Sequence, residues 1–80
     1  MPATIRQDGQ LTQNDVIEIA RRCQHRSASL NVLAQNDHLT THDYRFSLLH
    51  IAFEDEAYGF HNGHVAAIIR EELIARGLLR

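Results

Sequence analysis

The chain lacks lysine and tryptophan, and it carries one cysteine, one proline and one methionine among its 80 residues. A lone Cys23 excludes an intrachain disulfide and fits a reducing compartment better than an oxidising one. No segment approaches the roughly 20 apolar residues of a membrane span. The opening MPATIRQDGQ has no apolar stretch of the kind a secretion signal carries. The expectation is a soluble, cytoplasmic protein with no membrane contact.

With no lysine, all eight basic residues are arginine, and the formal net charge is -2 with neutral histidines. Without a basic excess there is no strong sequence-independent attraction to nucleic acid. Arginine is also the cation better suited to bidentate pairing and to interfaces. A chain this short buries only about 60 to 65% of the surface its unfolded form exposes, so its stability margin is thin. With disulfides excluded, the remaining supplements to a small core are a metal, self-association or efficient helix packing.

What is present is helical pattern. Residues 1 to 11 mix Pro2, Gly9 and polar groups without periodicity and read as a flexible or loosely docked arm. Thr12 followed by Asp15 is a capping arrangement, and it opens a helix over about 13–26. Val16, Ile19, Ala20, Cys23, Ser27, Leu30 and Ala34 follow at helical steps on one face. The hydroxyls of Ser27 and Ser29 compete with helix interiors, so a break is expected there, with a short helix over about 30–35. QNDH at 35–38 is a turn. Thr40 and Asp43 repeat the capping pattern and open a helix over about 41–60. HNG at 61–63 breaks it, with Asn62 available to cap a last helix over about 64–76, and Gly77 stands where a left-handed terminating glycine belongs. No strand pattern competes, so the fold class is all-α: one domain over 12–80, a small bundle of three main helices and a short fourth.

All five phenylalanine and tyrosine residues lie between 44 and 60. At 100° per residue, Phe46, Leu49, Phe53, Ala57 and Phe60 fall on one face of the third helix, and Tyr44, Leu48, Ile51 and Tyr58 on the other. Such a helix must be covered from more than one direction. The last helix adds Val65, Ile69 and Leu73 on one stripe, Ile68 and Ala75 on a second and Ile74 on a third, before Leu78 and Leu79. This apolar excess is either covered within a compact monomer that has the third helix at its centre, or it predicts a homodimer or a surface held for a protein partner, with Tyr44, Leu48, Ile51, Asp55, Tyr58, Phe60, Ile74 and Leu78 as its interface.

Six histidines raise the question of a metal. His38 and His42 are four apart and His61 and His64 three apart, spacings that set two imidazoles on one side of a helical turn. Each pair sits at a helix boundary and neither has the glutamate of an HExxH motif, so capping or surface roles are expected, with no metal and no cofactor. His42-Asp43 has the form of the HD pair of metal phosphohydrolases but lacks their further ligands. Cys23 falls on a core stripe without a glycine-rich oxyanion loop. Glu54, Asp55 and Glu56 fan out by 100° each and read as a solvated edge. The expectation is therefore no enzyme. A DNA-binding alternative rests on Arg21, Arg22 and Arg26 along the polar side of the first helix, although the helices that follow turns lack the basic recognition surface of a helix-turn-helix.

Asp37 to Gly59, with Leu39, His42-Asp43, Leu49, Ala52, Glu54 and the ending Ala57-Tyr58-Gly59, resembles a group of small helical phage and plasmid proteins, over about a quarter of the chain. The resemblance brings no reaction and no site residues. It implies a mobile-element setting, in which small proteins often bind and block host machinery, anti-CRISPR inhibitors among them.

Overall fold

A computed structural model describes residues 9–80; the expected arm lies, for residues 1–8, outside the described residues. Four helices follow in order: α1 (Gln13–Arg22), α2 (Ala28–Ala34), α3 (Thr41–Tyr58) and α4 (His64–Ala75). Each packs on the next, and α4 closes back on α1. The all-α class holds, and no strand occurs among the described residues. Among those residues, no helix is long and apolar enough to cross a membrane.

The two threonine caps form as the spacing predicts. The Thr12 hydroxyl accepts from the Asp15 N–H while the Asp15 carboxylate accepts from the Thr12 N–H at 2.8 Å, a complete capping box. The Thr40 hydroxyl accepts from the Asp43 N–H at 3.1 Å. At the far end, Gly77 adopts φ +74° and the Leu78 N–H donates to the Leu73 carbonyl at 2.8 Å, a left-handed termination.

Three boundaries differ from expectation. The first helix ends at Arg22, four residues early, because Gln24 and His25 both turn left-handed with φ +55°. Ser27 then caps α2 by accepting from the Leu30 N–H at 3.2 Å, so the second helix starts two residues sooner than predicted. The small-residue stripe survives this break, with Val16, Ile19, Ala20, Cys23, Ser27 and Leu30 all buried. Leu11, the last residue of the expected arm, is buried and exchanges hydrogen bonds with the Thr41 hydroxyl at 3.0 and 3.4 Å. This pins the entry to α1 against the start of α3.

The helices are tied at their ends by polar contacts between elements. Gln13 Nε2 donates to the Ala34 carbonyl at 2.9 Å, and the Tyr44 hydroxyl donates to the Asn36 carbonyl at 2.7 Å. Both acceptors lie at or just past the end of α2, where carbonyls have no partner within the helix. Arg45 Nε donates to the Leu78 carbonyl at 2.7 Å and Arg70 clasps Glu56 at 2.7 and 3.0 Å, so α3 and α4 run antiparallel. Between α4 and α1, Glu72 accepts from Arg22 and from Arg76, whose Nε also lies 3.5 Å from Asp15. Glu72 and Arg76 are buried, and buried charges of this kind persist only when paired.

The core gathers Val16 and Ile19 from α1, Leu30 from α2, Tyr44 and Leu48 from α3, and Val65, Ile69 and Leu73 from α4. Ala20, Cys23, Ala52 and Ala66 keep helix approaches close. Leu48 has no exposed surface. Replacing it by alanine leaves a cavity at the centre of the bundle, and we expect Leu48→Ala to lower the unfolding free energy by about 2–5 kcal/mol, measured by urea denaturation.

Candidate functional site

The core side of α3 is formed by Tyr44, Leu48, Ile51, Ala52 and Asp55. At 100° per residue, the diametrically opposite side carries Phe46, Phe53 and Ala57, flanked by His50 and Leu49. Phe46 is 67% exposed and Phe53 61% exposed, while Leu49 is half-buried. Val32, 60% exposed on α2, stands with Phe46 on a groove of about 240 Å³ whose other lining residues include Leu33, Asn36, Ser47 and His50. The wide apolar circumference read from the sequence is real, but the phenylalanine face is the uncovered one.

Four of the eight residues expected at an interface are therefore in the interior. Tyr44, Leu48, Ile51 and Asp55 are all buried and unavailable to a partner. The reason is chemical: the face that holds Asp55 and the Tyr44 hydroxyl is where the α3–α4 turn and the end of α2 present backbone groups needing partners. The phenylalanines offer such groups nothing. Of the remaining four, Tyr58 and Phe60 are exposed and lie ring to ring at 5.6 Å beside the α3–α4 turn. Ile74 is half exposed on α4, and Leu78 is partly buried against the core. Phe60 also lines a cavity of about 310 Å³ with Arg26, Ile51, Glu54 and His61.

Asp55 corrects two further expectations, that it belongs to a solvated acidic edge and that Asn62 caps the last helix. Gly63 is the N-cap of α4 and supplies no side chain. Instead the Asp55 carboxylate accepts from the backbone N–H groups of His61 at 2.7 Å, Gly63 at 3.2 Å and Ala66 at 3.0 Å. It is a cap delivered across the turn from the preceding helix. Burial alone would raise the Asp55 pKa, but the donors at Ala66, His61 and Gly63, with the His61 imidazole beyond them, outweigh it and hold the carboxyl below its ordinary range. The only sequence signal for this role is an acid on an otherwise apolar face, one helical turn before the chain reverses.

The remaining candidate chemistry disperses. Among the described residues no three His, Cys, Asp or Glu side chains converge as a metal site. His38 lies 3.1 Å from Asp37 and His50 3.5 Å from Glu54, both at the surface. Burial pushes the Cys23 thiol pKa up, which keeps it protonated and a poor nucleophile. Of the arginines singled out for nucleic acid, Arg21 pairs with Glu18, Arg22 bridges to Glu71 at 3.1 Å and to Glu72, and Arg26 is exposed beside the Phe60 cavity. Two of the three thus carry acidic neighbours that offset their charge.

The Asp55 clasp gives a signed pH dependence. Its pKa is depressed in the folded state, so its contribution is complete above the ordinary aspartate value of about 3.9 and is lost as the pH falls through the lower folded value. We expect Asp55→Ala to cost about 2–4 kcal/mol at neutral pH by stranding buried amide donors, and this deficit relative to the native chain to shrink on acidification below about pH 4. Urea unfolding at a series of pH values reads both. Compared with protein-family models, with curated proteins and with solved structures, the chain matches none.

Proposed function

We propose that the chain is a non-catalytic helical interaction module that works by occupying a protein surface, with the outer face of α3 as its contact. The observation that carries this reading is the wet aromatic stripe: Phe46 and Phe53 stand on one line of the longest helix, opposite a core that does not use them. Each phenylalanine contributes about 1.5–3 kcal/mol when buried, so a partner that covers both gains most of the energy of a specific contact from two side chains. The exposed Tyr58 and Phe60 pair supplies a second patch of the same character. Aromatic anchors of this kind dominate binding energy at protein interfaces.

In the mobile-element setting that the sequence resemblance implies, the surface occupied is that of a host complex, and the mode is blockade, as in anti-CRISPR proteins. The lone reduced Cys23 suits a cytoplasmic site of action. A duplex-DNA role for Arg21, Arg22 and Arg26 is the weaker reading, since Glu18, Glu71 and Glu72 already partner two of the three.

The test is the double substitution Phe46→Glu with Phe53→Glu. Because neither ring is in the core, helix content and the urea midpoint of dilute protein should stay close to the native values. Binding through the face, whether to a second copy or to a host protein retained on the immobilised chain, should fall by about a hundredfold or more, at a factor of ten per 1.4 kcal/mol. Equal retention of both by native and substituted baits would refute the reading.

A further inference from the structure

We propose that the cavity of about 310 Å³ between the α1–α2 connection and the α3–α4 turn binds a small aromatic anion, a planar ring carrying one carboxylate or phosphate group. The site lies away from Phe46 and Phe53, and the inference goes beyond the interaction reading above without depending on it. The volume is at the small end of ligand pockets, which suits one ring and one charged group. The floor is the buried Ile51, and one wall is the exposed ring of Phe60, braced by Tyr58 at 5.6 Å. Arg26, Ser29 and His61, none of them buried in the core, line the polar side except for Ser29's companion acids on α3.

Charge sets the sign of the ligand. The chain is acidic overall, yet the two stretches that meet at this end hold no Asp or Glu from Cys23 to Asn36 or from Ala57 to Arg70. Among the described residues Arg26 has no acidic partner, whereas Arg21, Arg22, Arg70 and Arg76 each have one. A free guanidinium beside apolar surface offers a fork of donors suited to a carboxylate or phosphate. Two acids of α3 also reach the cavity. Asp55 is spent, since both its oxygens accept from backbone amides, and Glu54 lies 3.5 Å from His50. A cationic ligand would meet Arg26 and His61 with the single carboxylate of Glu54 to offset them.

Both cations stand on backbone that is fixed before any ligand arrives. Asn31 Nδ2 donates to the His25 carbonyl at 2.7 Å, and Ser27 caps α2 directly after Arg26. The His61 N–H donates to the Asp55 carboxylate at 2.7 Å. Gln24 and His25 hold φ +55° in succession, a conformation disfavoured for residues with such side chains. Strain of this kind persists only where the surroundings impose it, and it gathers at ligand sites. Here it turns the chain so that Arg26 reaches the cavity. Groups held in place in advance lose less freedom on binding.

The test is titration of the full chain with phenyl phosphate and with benzoate, followed through its amide chemical shifts. The amides of Arg26, Ser29, Phe60 and His61 should move, with a dissociation constant of about 1 mM or tighter for the better anion, which identifies the charged group. Benzyl alcohol and inorganic phosphate each lack half of the ligand and should bind about tenfold more weakly or worse. Arg26→Gln should cost about tenfold or more in affinity, and Phe60→Ala about three- to tenfold. Glu54→Gln should tighten binding, because it removes a like charge. None of these three side chains is buried, so the urea midpoint should stay near the native value. Phe46→Glu with Phe53→Glu should leave the titration close to the native one, which separates the failure of this site from that of the interaction reading. The proposal is overturned by an absence of shifts with both anions at about 10 mM, by shifts spread over the other arginines, or by an affinity indifferent to Arg26→Gln.

Discussion

The buried carboxylate of Asp55 is the contact on which the orientation of the molecule turns. Three backbone N–H groups at the start of α4 have no other acceptor, and one side chain near the end of α3 takes all three. That demand fixes which side of α3 faces inward. The same side then carries Tyr44 to the carbonyl at the end of α2, and Leu48 and Ile51 into the core. The phenylalanines are left outside as a consequence, even though by size and hydrophobicity they are the more obvious core residues. Polar satisfaction weighs here alongside apolar area: an orphaned buried amide costs about 1–3 kcal/mol, so three donors, one of them fully buried, are comparable with the gain of about 1.5–3 kcal/mol from burying each aromatic ring instead.

The second lock lies across the bundle, where Glu72 sits between Arg22 and Arg76, and Arg76 reaches toward Asp15. It joins the last helix to the first in a chain that has no disulfide. Charged groups buried this deeply do not add much net stability over apolar ones, but they penalise any arrangement that separates them. A small bundle of four helices has several near-equivalent packings, and these two carboxylates exclude most of them.

Much of the architecture is readable in the residues themselves. The Thr12 and Thr40 caps, the small-residue stripe from Val16 to Leu30 and the terminating Gly77 each rest on interactions within a few positions of one another, which is why spacing alone locates them. The early end of α1 has no mark in the sequence, because Gln24 and His25 carry no side-chain preference strong enough to announce a left-handed turn. The inner and outer faces of α3 are indistinguishable in the sequence for a related reason. Counting apolar residues around a helical wheel shows two greasy sides and gives no means of ranking them; the ranking comes from a carboxylate meeting amides eleven or fewer positions away across a chain reversal. A single acid on an apolar face, close to a predicted turn, is the mark to look for.

Placing the core and the aromatic stripe on opposite sides of one helix separates two kinds of selection. Substitutions along Phe46, His50, Phe53 and Ala57 change the outer surface of α3 without drawing on the folding energy of the core, since none of these side chains is buried. Changes along Tyr44, Leu48 and Asp55 have the reverse effect. On the interaction reading proposed above, a lineage carrying this fold is free to exchange partners while its scaffold stays fixed.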